Sequence, residues 1–322
     1  MLVFLVSGIL YCCEFIRKKV PLIDKSNTMT KRYAVGSDIG GSHICSCVVD
    51  LENGAFIGKP VNTDIEHTLS AWEITAAWEK NLREVIGAAG VEIVGVGMAF
   101  PGPFDYKLGI SHMDHKFPAL KGINIGDTLR SRLPEYPGLE FRFINDANAF
   151  ALGESLYGAG KDMEKVVAMT LGTGLGSGFV DKGRIVESGP SVPPDGEVWN
   201  LPYGSGIADE AFSTRGITGR YKALTGKEVS GALDVRKLYD TDESARKVFE
   251  SFGRELAEFS APILKNFGSD SLLLGGNISR SLDLFIGSMR EKFAEVGMDV
   301  KIKASVLLDK AAMAGAAATF TI

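Results

Sequence analysis

Three short runs hold residue types suited to binding phosphate and activating a hydroxyl. In Asp38-Ile-Gly-Gly-Ser42, a carboxylate precedes the adjacent Gly40 and Gly41, where a backbone free of side chains turns sharply and brings N–H groups close to an anion. Taken alone, that run also reads as an ordinary hairpin turn. Leu171-Gly-Thr-Gly-Leu-Gly-Ser-Gly178 carries four alternating glycines, more than one tight turn needs, and places Thr173 between Gly172 and Gly174 as a hydroxyl donor. Two such loops in matching positions suit a phosphate clamp. A P-loop does not fit, because the Lys and Ser/Thr it requires are missing. The Gly172-x-Gly174-x-x-Ser177 spacing falls between two strands and opens no helix, so a dinucleotide fingerprint does not fit either. In Asn145-Asp146-Ala-Asn148 a carboxylate follows an apolar strand beside an amide. Asp146 could take the proton of a bound hydroxyl while Asn145 holds a neighbouring one. The competing reading makes Asp146 the N-cap of the Ala-rich run that follows.

The elements that must position these runs come in two copies. Arg32 to Asp38, His43 to Asp50 and a turn at Glu52-Asn53-Gly54 read as a β-meander. The same grammar returns as Lys165 to Leu171, a glycine turn over Gly172 to Gly178, Phe179 to Asp181, and Arg184 to Val186 after Lys182-Gly183. That repetition implies duplication. Each copy leads through helical segments to a buried strand: Ser70 to Ala88 precedes Val91 to Met98, and Glu243 to Phe267 precedes Ser271 to Leu274. The strand Glu140 to Ile144 hands over to a helix, Ala147 to Tyr157, at Asn145-Asp146, and in open α/β sheets that is where ligands bind. The class expected is α/β with two domains, a linker near Gly158 to Lys161, and a closing helix over Asp309 to Phe320.

With 322 residues, 45% of them hydrophobic, the chain can bury two ordinary cores. Thirty-five basic residues against 40 acidic ones give a net charge of -5, which offers no long-range attraction for nucleic acid. Cys12-Cys13 and Cys45-x-Cys47 form neither a disulfide framework nor metal knuckles, so a reducing, cytoplasmic setting fits, with Cys45 and Cys47 as small buried hydrophobes of one strand. Met1 to Tyr11 is apolar, but Arg17, Lys18 and Lys19 follow it, where a secretory signal would place its basic residues first. Residues 1 to 30 therefore read as a non-core extension, with a membrane anchor as the alternative; no membrane partner is expected.

Further signals are Pro101-Gly-Pro103, Glu197-Val-Trp-Asn200, Asp209-Glu210 and Leu274-Gly-Gly-Asn277; each alone reads as a turn or a solvated face. Taken in order, the motifs resemble the ROK family of sugar kinases and related regulators, within the actin-like ATPase superfamily, over roughly residues 31 to 320. Asp38-Ile-Gly-Gly-Ser-His-Ile is similar to its first phosphate motif, and Gly95-Val-Gly-Met-Ala-Phe-Pro-Gly-Pro103 to its sugar-side loop. Asn145-Asp-Ala-Asn-Ala-Phe-Ala-Leu-Gly-Glu154 is similar to its catalytic segment, Leu171 to Gly178 to its second phosphate motif, and Leu274-Gly-Gly-Asn277 to its adenosine-side loop.

The resemblance implies two actin-like (ribonuclease H-like) α/β domains with a cleft between them. Residues 31–150 would form the first and 151–307 the second, with a terminal helix in 308–322 packing back on the first. It implies a cytoplasmic, ATP-dependent kinase of a hexose or hexose derivative, glucokinase-like, in which Asp146 is the catalytic base. Asn145, Glu197, Asn200, Glu210 and Gly102 would contact the sugar. Asp38, Gly40, Gly41, Ser42, Gly172, Thr173, Gly174, Gly275, Gly276 and Asn277 would contact ATP, with Asp38 assisting Mg²⁺ indirectly. The family's zinc motif, a His followed by three cysteines, is absent, and Asn200 stands at the place of that His, so no zinc is expected. A homodimer is open by the same resemblance. The alternative function is a sugar-sensing regulator or binding protein without kinase activity.

Overall fold

The computed structural model describes residues 32–66, 68–114 and 116–322. The expectation for residues 1 to 30 therefore lies outside the described residues. Two five-stranded sheets organise the chain. The first holds β1 (Tyr33–Ile39), β2 (His43–Asp50), β3 (Phe56–Asp64), β4 (Gly95–Phe100) and β5 (Glu140–Asn145) in the order β3-β2-β1-β4-β5. The second holds β6 (Lys165–Leu171), β7 (Leu175–Asp181), β8 (Arg184–Ile185), β9 (Ser271–Gly275) and β10 (Lys301–Ala304) in the order β8-β7-β6-β9-β10. In both, the first three strands form an antiparallel meander and the last two run parallel to the central one. The repetition read from two glycine loops is thus a repetition of whole sheets.

Local chemistry sets the helices, among them the short α2 (Ile125–Arg132), α4 (Ala208–Phe212), α5 (Thr214–Thr225) and α6 (Ala232–Lys237). In α1 (Ala71–Ala89) Ser70 and Glu73 form a reciprocal capping box, and Gly90 ends the helix at φ 63°, a left-handed conformation that glycine adopts without a Cβ penalty. Ile74, Trp78, Leu82 and Val85 form its buried stripe, and Trp78 meets Phe100 of β4 edge-on at 5.4 Å. In the second half α7 (Glu243–Phe267) buries Val248, Phe249, Phe252 and Leu256, and packs along α9 (Leu282–Glu295).

The glycine run at 172–178 is not one loop. The turn occupies only Gly172 to Gly174; Leu175 onward belongs to β7. The reason lies in the helix above it, α3 (Asp146–Tyr157): a Cβ at Gly176 would crowd Ala147, and one at Gly178 would crowd Ala151. These two glycines let a helix settle on a strand. The closing segment also differs from one continuous helix. A short 3₁₀ turn, Leu308–Lys310, precedes α10 (Ala311–Ala318), because Leu308 takes φ 53° where the chain bends out of β10. Likewise β4 starts only at Gly95, with Val94 donating its N–H to the Tyr33 carbonyl at 2.9 Å and Val91 to Ile93 outside the strand.

α10 lies on the first sheet and crosses α3, which lies on the second. Glycines make both approaches close: a Cβ at Gly36 or Gly97 would overlap the carbonyls of Met313 or Ala316, and one at Gly153 or Gly315 would overlap those of Ala311 or Ala149. Since backbone cannot move aside as a flexible side chain can, Gly97→Ala is expected to cost about 1–3 kcal/mol. A thermal melt checks this, at roughly 1.5 °C per kcal/mol for a chain of 322 residues. An unchanged melting temperature would show that α10 shifts freely.

Candidate active site

Strand register brings the two acids together. Asp38 of β1 pairs with Ala99 of β4, and Ala99 pairs with Ile144 of β5, so Asp38 and Asp146 sit at the carboxyl ends of near-neighbouring parallel strands. Both line one cavity of about 250 Å³, with Thr170, Gly276, Ser279 and Asp309 among its walls. Burial, and then the Asp146 carboxylate, pushes the Asp38 carboxyl up to about 7, with Lys116 opposing and Asp309 adding to the rise.

Asn145, and not Asp146, is the helix cap. Its Oδ1 accepts from the N–H groups of Ala147 (3.0 Å) and Asn148 (3.2 Å), satisfying donors that a helix start leaves unpaired. Asp146 Oδ1 shares the Ala147 N–H at 2.9 Å, and its second oxygen has no partner among the described residues. The capping reading of this pair is thereby met mainly by Asn145, which leaves an oxygen of Asp146 for other work.

Tyr106 organises the other side of Asp146. Its hydroxyl donates to the Phe100 carbonyl at 3.1 Å and accepts from Asn145 Nδ2 at 3.2 Å. Burial holds the phenol strongly protonated, the Asn145 contact opposes, and the carboxylates of Asp146, Glu197 and Glu187 add to the rise, so all three lie within electrostatic reach of it. Gly102 faces the same hydroxyl, and a Cβ there would stand 3.7 Å from it. Asn145 and Gly102 thus meet at one phenol. Glu197 also accepts from Trp199 Nε1 at 2.6 Å. Asn200 is exposed, and Glu210 turns back to the Ile207 N–H at 3.3 Å; no contact among the described residues draws either toward Tyr106.

Of the residues expected to contact ATP, Asp38 and Gly276 line the acid cavity. Gly40 closes the β1–β2 hairpin by donating to the His43 carbonyl at 3.0 Å, and Gly41 lies against the Lys116 side chain. Ser42 holds the end of β3 through its carbonyl, which accepts from the Ile65 N–H at 2.7 Å. Gly172 donates to the Gly174 carbonyl at 3.0 Å across the second hairpin, while Thr173 is exposed. The Asp209 carboxylate, paired with Arg215, accepts from the Leu175 N–H at 2.7 Å and so pins that loop. Gly275 is filled from behind by the Phe150 ring, and Asn277 is exposed at the start of α8 (Gly276–Ser279).

Sequence reasoning missed Tyr106, Lys116 and Glu187, whose Oε1 accepts from Asn148 Nδ2 at 2.7 Å. The aromatic run after Pro103 was a usable signal for Tyr106; for the other two the sequence offers none.

Twin sheets of one design, joined over a cavity with carboxylates at its strand ends, define the class: a duplicated α/β protein of the actin-like ATPase fold. Within that class the chain belongs to the ROK family, whose sequence pattern matches residues 34–195 and 203–321. The match breaks off over 196–202, the stretch holding Glu197 and Asn200 where the zinc motif is missing. The chain is similar to a glucokinase of Thermotoga maritima, 28% identical over 316 residues, covering 90% of this chain and 97% of that one. The fold is also that of a ROK hexokinase from Thermus thermophilus, with TM-score 0.75, 22% identity, and 89% and 97% of the two chains covered. A ROK family transcriptional regulator, a homologue of the E. coli MLC protein, shares it as well, with TM-score 0.74, 21% identity, and 90% and 78% covered.

Proposed function

We propose that this chain is an ATP-dependent sugar kinase that phosphorylates a hydroxyl of a hexose or hexose derivative in the cytoplasm, with Asp146 as general base. The observation that supports this reading is that Asp146 lines one cavity with Asp38 and Gly276, while its neighbour Asn145 hydrogen-bonds Tyr106 on the side where a sugar would lie. The free oxygen of Asp146 would take the hydroxyl proton as the sugar oxygen attacks the terminal phosphorus, and the bond to the leaving ADP breaks. Asn145 and Glu197 would orient the sugar from the Tyr106 side. The N–H groups of the hairpins at Gly40–Gly41 and Gly172–Gly174 would face the phosphates.

A divalent cation would meet the carboxylates of Asp38, Asp146 and Asp309 in one cavity, where burial first and then the Asp146 charge raise the Asp38 carboxyl and a positive charge would relieve both. Mg²⁺ there would neutralise phosphate charge, with Asp38 assisting it. No zinc is proposed, because no cysteine follows Cys47. Among the described residues no helix is long and apolar enough to cross a membrane.

A coupled ADP-release assay over hexoses, amino sugars and N-acetyl sugars tests the reading, with sugar-dependent ADP release from at least one class as the expected result. Sugar binding without release across the panel would favour a sugar-sensing regulator instead, a fold-mate already represented among its relatives.

A further inference from the structure

Glu154 lies in the last turn of α3, eight residues after Asp146, and is completely buried. A charge-bearing side chain so placed demands partners, and these come from far along the chain. One carboxylate oxygen accepts from Ser305 Oγ at 2.5 Å and from the Leu307 N–H at 2.9 Å. The other accepts from the Ala159 N–H at 2.8 Å and, more weakly, the Val306 N–H at 3.4 Å. No lysine or arginine among the described residues pairs with it; backbone donors and one hydroxyl hold it.

The segment held in this way is a wall of the acid cavity. Ser305, Leu308 and Asp309 line it together with Asp38 and Asp146. Ser305 Oγ also accepts from the Leu308 N–H at 2.8 Å, where Leu308 takes φ 53°, a conformation that costs a leucine energy unless its surroundings impose it. One end of α3 thus presents Asp146 to the cavity, and the other end fixes the Ser305–Asp309 turn.

We infer that Glu154 is a positioning residue, which locks the Ser305–Asp309 turn to the catalytic helix and so shapes the nucleotide side of the cavity. It touches no substrate. The inference rests on the kinase reading, in which that cavity receives the phosphate-bearing end of ATP.

The test is calorimetric titration of Mg-ADP, together with steady-state kinetics, on the full chain and on Glu154→Gln. The amide keeps the length of the side chain but sets an NH₂ group against donors on one side. Losing hydrogen bonds to a charged acceptor is expected to weaken nucleotide binding about tenfold or more. The ATP KM should rise in step, with the sugar KM and kcat at saturating ATP unchanged. Ser305→Ala, which leaves the carboxylate in place, should shift nucleotide affinity the same way by less, and it carries the test if Glu154→Gln fails to fold. Unchanged nucleotide affinity in folded variants, or a sugar KM rising in equal proportion, overturns the inference. An unsubstituted chain that binds no nucleotide overturns the kinase reading itself.

Discussion

Asp146→Asn is expected to lower kcat by at least about 100-fold while leaving the melting temperature unchanged. The amide is nearly isosteric with the carboxylate, and its oxygen can still accept the Ala147 N–H that Asp146 Oδ1 meets at 2.9 Å. Capping of α3 does not depend on the exchange, since Asn145 accepts from two backbone donors there. What disappears is the ability of the second oxygen to take up a proton. A coupled ADP-release assay beside a circular-dichroism melt separates these effects. Unchanged turnover would remove Asp146 from the mechanism, and a loss that tracked the melting temperature would return it to the role of a cap.

Asp38→Asn should move activity and stability in opposite directions. The folded chain raises this carboxyl from its ordinary 3.8 to about 7, mainly by burying it and then by setting Asp146 near it. A raised carboxyl keeps a proton in the folded state that the unfolded chain has already released. Its contribution to stability is therefore fully present below about pH 4 and is lost as pH rises through about 7. Without ligand, the neutral amide escapes that loss, so the variant's advantage should grow between those limits and level off near pH 8, on the order of 4 kcal/mol at 1.36 kcal/mol per pKa unit. Urea unfolding of both proteins at several pH values measures it. Activity should fall, because the cavity loses the carboxylate proposed to assist Mg²⁺. A variant less stable than the unsubstituted chain at pH 8 would show that the Asp38 charge is already compensated in the fold, contrary to the environment described above.

Much of the architecture was legible because it is written in short-range patterns. Strand–glycine–strand runs marked the two meanders and announced the duplication that the two sheets carry, and the helical segment read from Ser70 to Ala88 is α1, started by a Ser70–Glu73 capping box. Asp38 stood out beside the adjacent Gly40 and Gly41, and Asp146 beside Asn145 where a strand hands over to a helix. The glycines were harder to assign. A sequence records only that a side chain is missing at 172, 174, 176 and 178, and it cannot say whether the space is left for a phosphate or for a helix; α3 claims it at Gly176 and Gly178.

By itself, then, the sequence pointed to the fold class, the duplication, and Asp38 and Asp146 as separate candidates, each read from short runs of residues. Tertiary structure alone decided that Asn145 is the cap, that Tyr106 hydrogen-bonds Asn145, that Lys116 offsets Asp38, and that Glu154 reaches Ser305, 151 positions distant. The physical reason is that burial, electrostatic reach and hydrogen bonds depend on distance in space, which chain separation does not encode.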